Sequence, residues 1–597
     1  RRTAPHAAAQ LIQLGQAEAV GVIDDHGVGA RHIQAVFNDG GAQQHIVLAG
    51  VEIQHHILQR VLLHLAMPNG DACYLPLAKY PETVTVHLGG KMNPNAKIPK
   101  GMSFEDNSYT RLLKENLNIQ VVYDWTASTS DYDEKMSLCI GSNTIPEIMN
   151  VNATQYRALL KYDMIQPLDK YFDDYASDAL KSYVKSGGEE LQKCITNEDG
   201  ELMAIPAPNL TAGGVNEMWI RQDWLDALGL DVPRTWDELA EVAKAFVTRD
   251  PDGNGENDTI GILGPGNSDH MNAVGGNQFG LDPLFSCFQS YPQYWLKSED
   301  GSVEYGSIQP ETKTALENIS KLYADGVIDP ETLVRSDSKE PLLAGKVGIF
   351  FGPWWCAYTF ADTTLSGSAD WRAYFTPLSE DGKYYTHMAE PTTQYVVASK
   401  DCKNPEAAFK IINYLIANEQ TWVEEGVTST EMGTADFYPL YNAYDNADEI
   451  ETSNEALTKY LAGDISMDDV DFSTHKLLKN DMEAVTELKK KPYDDFSLKY
   501  WNLDSDLAKG NLPRLVAIMV GDAPLVNEEY VPVYNAYNGQ TETMEAKWAN
   551  LKKMEEETFA KIIMGKADIS EFDTFVKNWK NQGGDQILKE INDELSK

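Results

Sequence analysis

Asp250-Pro-Asp252-Gly-Asn254-Gly255-Glu256-Asn-Asp258 carries oxygen side chains at positions 1, 3, 5 and 9 of one loop, with glycine at position 6. This is the first three-quarters of an EF-hand loop. Alternate side chains turn inward, glycine allows the sharp turn, and residue 7 offers its backbone carbonyl. Asp250, Asp252, Asn254, Glu256 and Asp258 are therefore candidate ligands for Ca²⁺, a hard cation that takes an all-oxygen shell. Position 12 is Gly261 instead of a bidentate glutamate, so another residue or water must fill that place. The alternative is a loop of Asx turns that binds no metal. The loop directly follows a helical pattern, which makes an ion there structural and not catalytic.

A second chemistry comes from aromatic rings. Trp354 and Trp355 follow Gly352-Pro353 at the end of the strand-like run Lys346–Phe351. Two adjacent rings cannot both enter one core, so one is expected to face a cleft. In open α/β sheets ligands bind at the carboxyl ends of strands. A flat indole suits the apolar face of a pyranose, while acids and amides bond its hydroxyls. Tyr358, one helical turn on, and Trp125, read as lying just after a strand, join the candidates. So do Glu390 and Tyr395, which flank a strand entrance. Trp224, Trp236, Trp371, Trp422, Trp548 and Trp579 sit in apolar patterns and read as core. With 91 acidic residues, no catalytic carboxylate pair is singled out. There is no H-E-x-x-H, G-x-S-x-G or Walker A loop, so the catalytic list is empty.

The elements that position these residues alternate. Thr83–Leu88, Ile119–Tyr123 and Ile148–Val151 read as strands and Tyr109–Asn118 as a helix, a βαβ rhythm that predicts a mostly parallel α/β sheet. Trp236–Asp250 has Thr235 and Glu238 as a capping box, with Leu239, Val242, Ala243, Phe246 and Val247 on one face. Glu406–Ala417 follows Asn404 as cap and Pro405 at the first helical position. Glu311–Asp325 is closed by Gly326. Beyond about residue 440 the chain reads as helical and acidic, through Glu542–Lys597. No repeat or long linker appears, which suggests two lobes sharing chain crossovers.

The chain has 597 residues, 42% of them hydrophobic, and a net charge of −41. So acidic a chain repels phosphate backbones and argues against nucleic acid as a partner. No apolar run is long enough for a membrane span. The six cysteines show no C-x-x-C spacing or ligand-spaced cluster with histidine. Composition breaks near residue 70: seven of the eleven histidines fall before it, and the first lysine is Lys79. Residues 1–78 are read as foreign to the fold, a misassigned start or fused frame, with a His-rich metal-binding arm as the alternative. No signal-peptide pattern is found there, and Cys73 is at best a degraded lipidation site.

Met218-Trp219-Ile220-Arg221-Gln222-Asp223-Trp224, the Pro233–Leu239 helix start, the Asp250 loop, and Gly345–Trp354 together resemble the family-1 extracellular solute-binding proteins of carbohydrate ABC importers. Val396–Lys400 with Asn404–Ala408, and the tail through Gln586-Ile587, extend the likeness. The group is similar to the alginate-binding proteins with a calcium loop, and the resemblance covers about 80–597. It implies a class II periplasmic-binding-protein fold: two α/β lobes, a crossover hinge and a ligand cleft. The lobes would be 79–215 with 392–440, and 216–391 with 441–597. It implies a non-enzymatic, extracytoplasmic oligosaccharide receptor that serves permease subunits, monomeric and held to the membrane only by a lipid anchor. By position, Trp354 would stack on the sugar, Asn152 and Gln155 would lie on the cleft-facing loop after the third strand, and Asn216, Trp219 and Arg221 at the first crossover. Arg221 has an alternative, an ion pair with Asp223 or Asp226. Where the alginate-type loop supplies an acid after Asp258, this chain has Thr259, which implies a weaker calcium site. A carbohydrate-active enzyme and a receptor for peptides or other solutes are the competing readings.

Overall fold

Short β-branched runs and capped amphipathic helices fold around two separate sheets. A computed structural model describes residues 75–266, 277–424, 427, 433–472, 475, 477–493 and 495–596. The expectations for residues 1–74 lie outside the described residues. In chain order the strands are β1 (Val84–Met92), β2 (Ile119–Ser128), β3 (Ile148–Val151), β4 (Ile205–Pro206), β5 (Glu217–Arg221), β6 (Ile260–Leu263), β7 (Trp295–Lys297), β8 (Val303–Tyr305), β9 (Val347–Gly352), β10 (Trp371–Tyr374), β11 (Tyr384–His387), β12 (Tyr395–Ala398) and β13 (Tyr530–Val533).

The first sheet has the order β2-β1-β3-β12-β4 and the second β10-β5-β9-β6. β1 is parallel to β2 and β3, as the βαβ rhythm predicts, but β12 is antiparallel to β3 and β4. In the second sheet β5 is antiparallel to both β10 and β9, and only β6 and β9 run parallel. The expectation of a mostly parallel sheet is therefore corrected. β5 and β12 each begin just after the chain has left the other sheet, so they enter from the opposite end and run against their neighbours.

The buried side chains separate in the same way. One core takes Tyr80 through Ala207 and Tyr395 through Tyr444; the others draw on Ala212 through Met388 and Ile450 through Ile591. The chain thus crosses between cores three times, at about 208–211, 389–394 and 445–449.

Helix Trp236–Thr248 begins at a capping box in which Thr235 accepts from the Glu238 amide and Glu238 from the Thr235 amide, at 3.3 and 3.0 Å. Its buried face is Leu239, Val242, Ala243, Ala245 and Phe246, while Val247 is only half-buried. Each large apolar side chain buried there contributes about 1.5–3 kcal/mol. The Glu406 helix runs to Glu424, seven residues beyond the predicted end, and the third predicted helix is Pro310–Ala324. The tail is three helices, Glu542–Ile563, Glu571–Trp579 and Asp585–Leu595, whose apolar faces join the second-sheet core. Cys139, Cys194, Cys287, Cys356 and Cys402 are free thiols.

Candidate ligand cleft and cation loop

The crossings bring polar and aromatic groups together. At the end of β3, Asn150 Nδ2 donates to Gln394 Oε1 at 3.1 Å and to Asn442 Oδ1 at 3.0 Å, tying the first sheet to the second crossing and to the segment that leads into the third. Tyr395 opens β12, is buried, and stacks on Tyr156 with centroids 4.5 Å apart and planes at 9°. Glu390 lies half-buried in the second crossing. Burial pushes its carboxyl up, against the pull of Arg157. The Tyr156 hydroxyl and Arg157 Nη1 are buried without a hydrogen-bond partner. The Arg157 guanidinium lies 5.6 Å over the ring of Tyr537, which belongs to the other core.

β9 is buried along its whole length and delivers Trp354 onto the turn Trp354–Cys356. Trp354 is 6% exposed, its Nε1 has no acceptor, and Tyr358 meets it edge-on at 6.5 Å. Trp355 is half-buried against the same core, which corrects the expectation that the two rings must part. Tyr358, 47% exposed, is the solvent-facing ring of the group. Behind them, Glu217 opens β5 opposite Gly352, fully buried with neither carboxylate oxygen bonded. Burial, then the nearby Asp522 and Glu528 charges, hold the Glu217 carboxyl well above the usual range. Burial and Glu451 push Asp522 up to about 9, and Glu451 itself is raised to about 7, chiefly by burial.

Several residues placed in the cleft by position have other partners. Asn152 caps helix Ala153–Lys161: its side chain accepts from the Gln155 amide at 3.0 Å, and Gln155 Oε1 accepts from the Asn152 amide at 3.2 Å. Gln155 Nε2 then donates to the Asp133 carbonyl, so both ends of that amide are engaged. Trp219 is wholly buried, parallel to Phe350 and edge-on to Phe360, with Nε1 donating to the Gly352 carbonyl at 3.2 Å. Arg221 takes the alternative. It forms a fork with Asp223 at 2.8 and 2.5 Å, donates to the Gly345 and Ser368 carbonyls, and covers the Trp224 ring. Asn216 is buried, donating to Asp282 Oδ1 at 2.6 Å. The other Asp282 oxygen lies 3.8 Å from His387 Nδ1, in a pocket walled by Tyr291 and Tyr294. Trp125 lies inside β2, not after it. The register shift at Leu88/Gly89 makes Asp124 an extra residue and lets the strand continue to Ser128. Its half-buried ring leans on Tyr132 at 5.3 Å. Sequence reasoning missed Arg157, Tyr537, Glu217 and Asp522. The sole signal was an arginine one turn into the helix that follows β3.

The cation loop folds as its sequence predicts in part. Gly255 has φ +80°, Asp250 accepts from the Asn254 and Gly255 amides at 3.1 and 3.0 Å, and Asn254 Nδ2 donates to Asp252 and Asp258 at 2.9 and 3.2 Å. Asp252 is raised, mainly by burial and in smaller part by Asp250 and Asp258. A cation held there would offset the smaller, repulsive part of that shift. The Lys346 ammonium stands 2.8 Å from Asp258 Oδ2 and supplies one such charge. Gly261 has a structural reason: a Cβ there would sit 2.6 Å from the Val327 carbonyl and 2.7 Å from that of Ala243. No glutamate fits at position 12. The Thr259 hydroxyl donates to the Phe246 carbonyl at 2.7 Å and is turned away from the loop. Among the described residues, no group of three or more His, Cys, Asp and Glu side chains has a metal-holding arrangement.

The sequence profile of the bacterial extracellular solute-binding protein family matches residues 97–422. The chain is 30% identical over 259 residues to the fructooligosaccharide ABC transporter substrate-binding protein FusA of Streptococcus pneumoniae, an alignment covering 40% of this chain and 45% of that one. It is 28% identical over 251 residues to lipoprotein LipO of Bacillus subtilis, again covering 45% of the relative. The chain thus spans about half the length of these two relatives. It is 23% identical over 516 residues, 84% of this chain and 92% of the other, to the polygalacturonan/rhamnogalacturonan-binding protein YtcQ of B. subtilis. Among solved structures it is similar to an HMO-binding, ABC-transporter-associated solute-binding protein from Bifidobacterium longum infantis, with TM-score 0.53 and 17% identity over 85% of this chain and 97% of that one. That likeness is one of fold, the class II periplasmic-binding-protein architecture of two α/β lobes.

Proposed function

Since the chain belongs to the bacterial extracellular solute-binding protein family, we propose that it is the extracytoplasmic oligosaccharide-binding subunit of an ABC importer. It holds a sugar between two lobes, 79–215 with 392–440 and 216–391 with 441–597, and presents it to permease subunits on hinge closure. The observation that carries this reading is the triple crossing of the chain between two cores, with Asn150, Gln394, Glu390 and Tyr395 at the crossings and Trp354, Trp355 and Tyr358 at the end of β9. Aromatic faces stack on pyranose rings, and amides and carboxyls bond hydroxyls, so the lining suits a saccharide. The sugar-binding names of FusA, YtcQ and the Bifidobacterium protein support the same class. Trp125 extends the aromatic wall on the first lobe. Asn152, Gln155, Asn216, Trp219 and Arg221 hold that frame from behind.

The protein works by binding without turnover, as a monomer, attached to the membrane only by a lipid anchor. LipO, named a lipoprotein, supports the anchor. Among the described residues, no helix is long and apolar enough to cross a membrane. Asp250, Asp252, Asn254, Glu256 (through its carbonyl) and Asp258 would hold a structural Ca²⁺, which would order the loop that follows helix Trp236–Thr248.

The test is a thermal-shift screen of the full chain against neutral and acidic oligosaccharides, with chromatography of the same tubes. A ligand at about 100 times its Kd adds about 2.7 kcal/mol of stability. A shift with the sugar recovered intact is expected. New reducing ends or unsaturated products would make the protein an enzyme, and no shift across the panel would end the carbohydrate reading.

A further inference from the structure

We infer that Arg157 recognises a carboxylate of the bound saccharide, and that the ligand is therefore an oligosaccharide containing uronate residues. The inference rests on the carbohydrate-binding reading above and names the substrate class of that site.

The other arginines held below the surface each have a carboxylate: Arg221 with Asp223, Arg335 with Asp329, Arg372 with Asp370 and Arg514 with Asp481. In a chain of net charge −41, acids are available almost everywhere. Arg157 is half-buried and makes no ion pair, and its Nη1 is wholly enclosed without an acceptor. An enclosed charged donor with no acceptor is costly, and a fold keeps one where a ligand completes it. The neighbouring polar group, the Tyr156 hydroxyl, is also enclosed and unbonded.

The donor favours a planar anion. The guanidinium lies 5.6 Å from the centroid of the Tyr537 ring. A guanidinium fork matches a carboxylate with two parallel hydrogen bonds. Glu390 is near enough for Arg157 to pull its carboxyl down against burial, yet it makes no ion pair with the guanidinium, and Glu594 on the far side is engaged by the Tyr537 hydroxyl at 3.0 Å. Arg157 stands on the helix following β3 and Tyr537 belongs to the second-sheet core, so the fork lies where the two lobes meet. Arg221, the other arginine with a claim to this role, is fully engaged by Asp223 and two carbonyls.

The experiment is isothermal titration of the full chain at pH 7 with galacturonate, guluronate and mannuronate trisaccharides, each also as its methyl ester. A panel of neutral oligosaccharides and inorganic sulfate are run beside them. One uronate is expected to bind about 10–100-fold more tightly than its ester, the worth of a charge-assisted hydrogen-bonded pair. Arg157→Gln should bring acid and ester affinities together, and Arg157→Lys should keep part of the gap. Arg111→Gln, at an exposed pair with Asp106, should keep all of it. Melting curves verify that each variant is folded. Equal affinity for acid and ester in the parent protein overturns the inference, as does a gap that survives Arg157→Gln. Displacement of the uronate by sulfate at equal concentration would mark a general anion site and also overturn it. Binding of neutral sugars alone removes the uronate and leaves the carrier function standing, whereas binding of nothing in any panel removes both.

Discussion

Trp354 and the acids behind it are poised on opposite demands. Its indole is nearly buried, yet Nε1 finds no acceptor, a cost of about 1–3 kcal/mol that a sugar hydroxyl would offset. Trp354→Ala should weaken affinity for the cognate oligosaccharide by tenfold or more, while also destabilising the fold by about 3–5 kcal/mol through the cavity it leaves. Trp354→Phe separates the two effects, because it keeps most of the packing and loses the donor and half the stacking face. Titration showing wild-type affinity in both variants would remove Trp354 from the site. The acids make a pH prediction. Asp522 is pushed up to about 9 and Glu451 to about 7, so each stays protonated in the folded protein at pH values where the unfolded chain has ionised it, above about 4. The folded state then binds the extra proton, and stability falls as pH rises from about 4 toward those values. Thermal melts between pH 6 and pH 9 should show a falling melting temperature, and Asp522→Asn should flatten the slope. An unchanged slope in that variant would mean Asp522 is charged and compensated in the folded protein.

The cation loop is the element whose chemistry can be tested alone. Calcium should raise the melting temperature of the full chain and EDTA lower it. Asp252→Asn should abolish the difference. Lys346 competes for the same carboxylate from 2.8 Å, so Lys346→Met should bind Ca²⁺ more tightly by calorimetry. A chain indifferent to calcium in every one of these variants would leave the loop as Asx turns stabilised by Lys346. This element also indicates what was legible in the residues. The helix before the loop, its capping box and its buried face follow from local spacing, and so does the positive φ at Gly255. The absence of a glutamate at position 12 was visible, but its cause was not: Gly261 is fixed by two carbonyls from distant segments. The same limit applies elsewhere. β9 and its Trp-Trp turn were readable as a strand end, because the pattern is local. The antiparallel entry of β5 and β12 depends on which sheet the chain has just left. Trp219 and Arg221 were drawn from the first crossover and are enclosed by Phe350, Phe360, Asp223 and Trp224, partners that adjacency along the chain reveals only for the last two.

For the molecule as a whole, the chain passes between its two cores three times, so relative motion of the lobes must bend three short segments at once. Such a hinge has few soft torsions and favours two discrete arrangements over a continuum. A ligand shifts that balance only by the difference in its affinity for the two forms. The residues proposed to line the cleft, and those packed behind them, differ in this respect. Trp354 and Glu217 belong to one lobe and keep their neighbours in either form, whereas Arg157 and Tyr537 come from opposite cores and touch only when the lobes meet. A cation–π contact of this kind contributes about 0.5–2 kcal/mol, equivalent to about 2- to 30-fold in the closing equilibrium. Tyr537→Ala should therefore weaken every oligosaccharide ligand by a common factor within that range, acidic or neutral. It should act mainly by faster dissociation, since closure holds the sugar after it has docked. Small-angle scattering should show a smaller radius of gyration on adding ligand to the parent protein, and a smaller change at equal ligand concentration in Tyr537→Ala. If the radius of gyration does not respond to a bound sugar in the parent protein, the lobes are already locked. In that case affinity resides in the lining alone, and Tyr537→Ala would change binding only through lost contact with Arg157.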